Sequence, residues 1–299
     1  MRLAVIIITR NRATVFPAPS SPALAQKFAQ KAVWVSDDAS EDATPRLAEG
    51  YPSGWFRGDT RPGIPSARAR RLQLSEAENV CNLDDDAWFL DMDALETAVR
   101  FLEASPGVAV AGFDIVSPER EDRRKRGAPR PSHTFPGCGH VLRVSAAREV
   151  GGFEEFPGFY GCEEKDLAIR LLDAGHEIMT LTGVHVWHDK TAMGRNPREM
   201  HTSGVCNDFA WVVRRYPVPD LCWALPFKIL SHLRFSCRVG SPGACIEGIM
   251  MFLKAAPRLF AARNPVRRKT LREFLHRASA GPKAHDRQAW PTERDMPRR

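Results

Sequence analysis

Three consecutive aspartates, Asp84-Asp85-Asp86, follow directly on the strand-like segment at residues 80–83. Adjacent like charges repel, so such a run costs stability unless a cation lies against it. Carboxylate oxygens are hard ligands suited to Mg²⁺ or Mn²⁺, and these ions also bind phosphate oxygens. On its own the run reads equally well as a solvated acidic turn or as the cap of the next helix. Other segments add to it. Asp37 and Asp38 close a second apolar run, and Thr9-Arg10-Asn11-Arg12 closes the first with a polar, cationic group suited to a diphosphate. Farther on, Gly161-Cys162-Glu163-Glu164-Lys165-Asp166 opens a helical pattern and His188 ends another apolar segment. If these ends share one rim, carboxylates, arginines and an imidazole face a common ligand.

The elements that would position them alternate. Leu3–Thr9 is an unbroken β-branched run of the kind found in strands buried on both faces. Residues 22–31 read as a helix and 32–36 as the next strand, which makes a βαβ unit. A helix over 66–78, a strand over 80–83, a helix over 93–104 and a strand over 108–113 continue the pattern. Residues 117–136 break into Pro, Gly and charge, including Arg123-Arg124-Lys125-Arg126, and read as a solvated loop or flap. Strand character returns at 141–144, helix at 165–174, and short strands at 177–181 and 184–187. This is an α/β chain with a doubly wound, mostly parallel sheet, whose ligands bind beyond the carboxyl ends of the strands. After His188 the character becomes helical with Pro punctuation, at 207–215, 223–235, 245–253 and 267–277. We therefore divide the chain into an α/β ligand-binding region at 1–195, a helical extension at 196–278 and a disordered basic tail at 279–299.

The 299 residues carry 43 Lys and Arg against 36 Asp and Glu, a net charge of +7. Residues 254–299 hold 13 of the basic and 4 of the acidic residues, net +9, which leaves the first 253 at −2. A folded nucleic-acid binder needs its positive surface on the body. This distribution therefore argues against nucleic acid as partner. Seven cysteines without a C-x-x-C pair suit a reducing compartment, and no uncharged apolar run approaches the roughly 18 residues of a spanning helix. The expected location is the cytoplasm. The stretches at 221–235 and 245–260 mix Trp, Leu, Phe and Met with Lys228, Arg234, Lys254 and Arg258. Such a pattern either packs on the α/β region or lies peripherally on the inner face of the plasma membrane.

The motifs VIIITRNR, VSDDASED, RPGIPSARARR, LDDDA and GGFEEFPGFYGCEEKDLAIRLLDAG, with VWH after them, resemble in this order the family 2 glycosyltransferases, which have the GT-A fold. The resemblance covers roughly residues 3–190; FAWVVRRYP and its Pro-broken helices also look like the rear of bacterial rhamnosyl- and galactosyl-type members. It implies inverting, Mg²⁺- or Mn²⁺-dependent transfer of a sugar from a nucleotide diphosphate sugar to a saccharide or lipid-linked hydroxyl, in cell-envelope polysaccharide synthesis. Carried over by position, Thr9, Arg10, Arg12, Asp37, Arg68, Asp84 and Asp85 would contact the donor. Asp86 and His188 would ligate the metal. Glu164 would be the general base, where the family more often has Asp, and Gly152, Phe153, Glu163 and Trp187 would face the acceptor. Ala69 and Arg71 replace the Asn and Gly of the family's A-R-N-x-G, which bears on how the nucleotide is placed. The plainer reading of Glu164 is an ion-pair partner of Lys165 or Arg170.

Two other classes share some of these features. A nucleotidyltransferase acting on sugar phosphates also sets carboxylates and Mg²⁺ at strand ends, but it usually has a Gly-rich, Lys-bearing loop after the first strand, which this chain lacks. A non-catalytic RNA-binding module would use residues 123–126 and the basic tail, yet would not need Glu164 and His188 beside the aspartates.

Overall fold

The computed structural model describes residues 2–14, 25–51, 53–58, 61, 63–117, 127–190 and 195–280. The basic run at 123–126 and the tail from 281 lie outside these residues. The strands are β1 (Leu3–Thr9), β2 (Lys31–Asp37), β3 (Trp55–Arg57), β4 (Asn79–Asp84), β5 (Ala87–Phe89), β6 (Val108–Val116), β7 (Arg130–Pro131), β8 (Gly139–Arg143) and β9 (Glu177–His188). They form one sheet in the order β3-β2-β1-β4-β8-β6-β9-β5, with β7 paired to β9 off that path. The first four run parallel, as do β6 and β9, while β8 lies antiparallel between β4 and β6. β1 is apolar throughout because neighbours flank it on both sides and helices cover both faces: Leu3 to Ile7 are buried.

Helices α1 (Thr44–Ala48), α2 (Ile64–Leu74), α3 (Ala94–Ala104), α4 (Val144–Glu149) and α5 (Glu163–Asp173) alternate with the strands. Leu95, Ala98, Val99 and Leu102 of α3 pack with Val5, Ile7 and Leu83 in one apolar cluster. The other face of the sheet supplies Ala4, Ile6 and Val80 to a second cluster. That second cluster is shared with α6 (Pro197–Arg215), α7 (Val218–Arg238), α8 (Pro242–Ala261) and α9 (Arg268–Ala280) through Phe209, Trp211, Leu221, Phe252 and Phe274. The helical extension and the sheet thus bury one continuous core.

Three local readings differ from expectation. Residues 25–30 form bends and a turn in place of a helix. The carbonyls of Gln26 and Phe28 accept from Lys31 Nζ at 2.6 and 3.0 Å, and the Gln26 amide is spent on Asp91 O and Leu95 N, so these groups are drawn into tertiary contacts. The two short strands at 177–181 and 184–187 are one strand, β9, whose pairing with β6 slips between Phe113 and Asp114. Finally, α6 begins ten residues earlier than the apolar pattern suggests, at Pro197. There the Asn196 side chain accepts from the N–H groups of Arg198 and Glu199 at 3.1 and 3.3 Å, and Pro occupies the first turn.

Candidate active site

Sheet register brings the chemically capable residues together. Thr9 pairs with Asp37, and Ile8 with Asp84, so the ends of β1, β2 and β4 lie on one edge. β9 ends at the same place because His188 pairs with Ala87 of β5, directly after the aspartates. His188 Nε2 lies 3.1 Å from Asp86 Oδ1 and 3.8 Å from Asp84 Oδ2. Cys138 stands beside them: ligand atoms of Asp84, Cys138 and His188 all fall within 4.8 Å of one another. Sequence reasoning passed over Cys138 as one of seven free thiols. Its place follows from the antiparallel insertion of β8, where Gly139 pairs with Leu83 and carries the preceding residue to the aspartates.

The aspartates do meet compensating charge. Arg12 lies 3.3 Å from Asp85 and 3.5 Å from Asp86, and Arg195 donates to Asp86 Oδ2 at 2.8 Å. Arg12 was expected beside the nucleotide; here its buried guanidinium is a counter-ion inside the rim. Arg195, which no motif marked, lies between His188 and α6. Burial pushes the Asp85 carboxyl up to about 7, against Arg12. Burial would raise Asp86 as well, but the bond to His188 and the charges of Arg195, His188 and Arg12 hold it down to about 2. For His188, burial favours the neutral ring, yet Cys138, Asp86 and Asp84 outweigh it and push the imidazole up to about 11. Carboxylates and an imidazole converging in this way are donors that suit Mg²⁺ or Mn²⁺, so the residues fit a divalent cation; as a ligand His188 would give up its proton.

The opposite lip is the first turn of α5, where Glu163, Glu164 and Asp166 meet the positive end of the helix dipole. Arg68, on α2 and 4 % exposed, spans the space between the lips. Its Nη1 donates to Glu163 Oε1 at 2.8 Å and to Glu164 Oε1, while Nη2 donates to Gly137 O at 2.9 Å and Asp84 Oδ1 at 3.4 Å. Burial alone would lower the Arg68 pKa; Glu164, Glu163 and Asp84 raise it instead, so it stays cationic. A Cβ at Gly137 would fall on Glu164 Oε1 and 2.9 Å from both terminal nitrogens of Arg68, so a larger residue there would push the ends of both side chains aside. Lys165 and Arg170 are engaged elsewhere, at 2.5 Å from Asp208 and 2.7 Å from Asp166, so neither is the ion-pair partner of Glu164. Glu164 remains partly open, with 20 % of its side chain exposed.

Glu163 behaves differently. It is buried, and its Oε2 has no hydrogen-bond partner among the described residues. Burial, then the neighbouring charge of Glu164, raises its carboxyl above the ordinary glutamate range in spite of Arg68. A raised folded-state pKa means that the native protein holds a proton the unfolded chain gives up, so the contribution is full at low pH and is lost as pH climbs through the raised value. Glu163→Gln should therefore flatten the fall in melting temperature above about pH 4.5. Calorimetric scans of both proteins across that range check it, and unchanged slopes would refute the assignment.

Around the ends of β1 to β3 lies a cleft of about 520 Å³ bordered by Arg10, Ser40, Glu41, Arg57, Gly58 and Arg61. Arg10 Nη1 has no hydrogen-bond partner among the described residues. Asp37 is buried beside this cleft, accepting from Ser40 N at 3.2 Å and lying 3.7 Å from Arg57. Thr9 is buried at the same edge. Of the residues expected at the acceptor, three have contacts of their own. Phe153 is a core side chain, and Gly152 makes a left-handed turn whose carbonyl accepts from Arg170 at 2.7 Å. Trp187 stacks on Trp88 at 6.0 Å, and one residue from His188 on a strand its ring leaves the opposite face. The GGF turn and the strand-end Trp invited a site reading because neither motif shows in sequence which face is covered.

Comparison with curated proteins finds no match. Among solved structures, GalNAc-T7 with UDP, GalNAc and Mn²⁺ superposes with a TM-score of 0.59 at 14 % identity, over 73 % of this chain and 48 % of that one. This chain thus spans about half of that structure. The mannosyltransferase PcManGT from Pyrobaculum calidifontis, in complex with GDP-Man and Mn²⁺, gives 0.56 at 21 % identity over 93 % and 84 %. Residues 1–349 of S. aureus TarS in complex with UDP-GlcNAc give 0.57 at 17 % over 88 % and 84 %. At these identities the likeness establishes the shared GT-A fold. The sequence model of "Glycosyl transferase family 2" matches residues 4–153, just over half the chain, and takes in Thr9, Asp37, Arg68 and the three rim aspartates. The protein belongs to glycosyl transferase family 2.

Proposed function

We propose that this protein transfers a sugar from a nucleoside diphosphate sugar to an acceptor hydroxyl, with inversion at the anomeric carbon and dependence on Mg²⁺ or Mn²⁺. The observation that carries the reading is the convergence of Asp84, Asp86 and His188 on one lip of the strand ends with Glu164 on the other, joined through Arg68. Breaking the anomeric C–O bond leaves negative charge on the departing diphosphate. A divalent cation held by Asp84, Asp86 and His188 would neutralise that charge. Arg10, Arg57 and Arg61 of the neighbouring cleft give the nucleotide part cationic, fork-shaped partners. Glu164 accepts the proton of the attacking hydroxyl. Both glutamates pair with Arg68, but Glu163 is buried while 20 % of the Glu164 side chain is exposed, which leaves Glu164 as the open carboxylate on its lip. One such carboxylate suits a single displacement, hence inversion; a double displacement would need a second carboxylate free to attack carbon.

The PcManGT and GalNAc-T7 structures, one with GDP-Man and one with UDP, support a nucleotide-sugar donor without fixing the base. The test is a panel of UDP-, GDP- and dTDP-sugars with Mn²⁺. Slow release of nucleoside diphosphate from one of them, reduced by about 10² or more in Asp86→Ala, is the expected result. Release of pyrophosphate from a nucleoside triphosphate and a sugar phosphate would replace this reading with nucleotidyl transfer.

The acceptor reading extends to a lipid-linked saccharide at a membrane surface. Among the described residues no helix is long and apolar enough to cross a membrane. However, Trp223, Phe227 and Leu230 of α7 are 83 %, 70 % and 55 % exposed, and Ile246, Met250 and Leu253 of α8 are 57 %, 51 % and 54 % exposed. Each set has one-face spacing, and the exposed Arg234, Arg238, Lys254 and Arg258 accompany them. Each such cation near anionic lipid is worth about 1 kcal/mol. The paired change Trp223→Asp, Phe227→Asp should abolish cosedimentation with anionic vesicles while sparing nucleoside diphosphate release; unchanged pelleting would remove the membrane reading. Point changes are preferable to truncation because α8 buries Phe252 and Leu259 in the core.

A further inference from the structure

We propose that Cys138 is a sulfur ligand at the cation site and makes the rim prefer thiophilic ions, Zn²⁺ and Cd²⁺, over Mn²⁺ and Mg²⁺. The inference rests on reading Asp84 and His188 as cation ligands, and it adds a donor of different chemistry. Among the described residues, Asp84, Cys138 and His188 are the grouping whose ligand atoms lie close enough together to share one ion, all within 4.8 Å. The Cys138 sulfur and the His188 imidazole are among the atoms within that distance, so the two already face each other. Cys138 is buried and in no disulfide.

The position is held from both sides. Gly139 is locked into β8 opposite Leu83, and the Gly137 carbonyl accepts from Arg68 at 2.9 Å. With its neighbours fixed, the sulfur is presented to the rim at little conformational cost. Carboxylate oxygen suits Mg²⁺ and Mn²⁺ and imidazole suits Zn²⁺, so the addition of a soft thiolate tips the set toward Zn²⁺ and Cd²⁺. On coordination the S–H bond breaks heterolytically, the electron pair becomes the metal–sulfur bond and the proton leaves to solvent. Cys138 would thus join Asp84, Asp86 and His188 as a fourth protein donor, and an ion that expands to five-coordinate would keep a position for a phosphate oxygen. Zn²⁺ is therefore expected to bind more tightly than Mn²⁺ and to compete with it.

The experiment titrates Cd²⁺ into the metal-stripped 299-residue chain and follows the ultraviolet sulfur-to-cadmium charge-transfer band. Zn²⁺ and Mn²⁺ affinities are then measured by competition. Wild type should give the band at one equivalent. Cys138→Ser, which keeps the other six cysteines, should lose that band and bind Zn²⁺ at least about tenfold more weakly, with Mn²⁺ affinity far less affected. Cys138→Ala, with folding of both variants checked by circular dichroism, guards against an effect of the serine hydroxyl. If wild type binds Mn²⁺ but shows no band, or if Zn²⁺ affinity is equal in wild type and both variants, the sulfur ligand is refuted and the cation site stands. If wild type binds no divalent ion, the cation site itself falls, and the proposal with it.

Discussion

Glu164→Gln is expected to lower kcat by about 10² to 10⁴, the range for losing a positioned proton acceptor, while donor affinity stays close to that of wild type. The amide keeps the oxygen that accepts from Arg68, so the first turn of α5 retains its contact with α2 and the change falls on basicity. Glu164→Asp should fall between the two, because it restores a carboxylate on a shorter arm. Steady-state transfer rates and donor titrations on the same preparations separate the chemical step from binding. Should Glu164→Gln retain full activity while Glu163→Gln abolishes it, the base is the buried neighbour and the roles assigned to the pair are reversed.

Arg68→Ala should be the most destabilising change at the site, costing about 3–5 kcal/mol, the range for removing one member of a buried ion pair. Arg68 is 4 % exposed and serves Glu163, Glu164, Asp84 and the Gly137 carbonyl together. Without it the carboxylates face one another without their shared cation, and the Gly137 oxygen loses a donor. Against a typical total of about 5–15 kcal/mol the loss is large. The sign of its pH dependence is set by charge. Removing the cation raises the folded-state pKa values of the carboxylates, so the native variant takes up protons that the unfolded chain does not, and the deficit shrinks as pH falls. Urea unfolding at about pH 8 and about pH 5 measures this. A deficit that grew on acidification would contradict the arrangement. Arg68→Lys should recover only part of the stability, since a point charge cannot serve both lips in the way a planar fork does.

Much of the scaffold is legible in the residues themselves. β1 announces itself as an apolar run ended by a polar cluster, because a strand buried on both faces has few polar positions until it reaches the sheet edge; β4 keeps the same ending although Asn82, paired with His140, interrupts it. The same logic marks Asp37, Asp84 and His188 as neighbours before any coordinates are seen. What could not be read was whatever depends on partners distant in the chain. The antiparallel placement of β8 leaves no mark in its composition, so Cys138 and Gly137 carried no signal of nearness to Asp84. Arg195 sits in an irregular stretch where spacing has no period to exploit. Residues 25–30 look helical by composition, but Lys31 and Asp91 draw their carbonyls and the Gln26 amide into other contacts. Phe153 illustrates the reverse case, since an aromatic residue near a motif reads as a sugar platform until packing places it in the core.

The most direct test of the central claim is a thermal-shift comparison of wild type and Asp86→Ala across sugar nucleotides, with Mn²⁺ and with chelator. A donor at about a hundredfold over its Kd stabilises the folded state by about 2.7 kcal/mol, a rise of several degrees in Tm. We predict that at least one sugar nucleotide produces this rise in wild type with Mn²⁺, and that the rise disappears in chelator and in Asp86→Ala. A rise of equal size in all three conditions, or none with any sugar nucleotide, would show that the rim formed by Asp84, Asp86 and His188 is not where the donor and its cation bind.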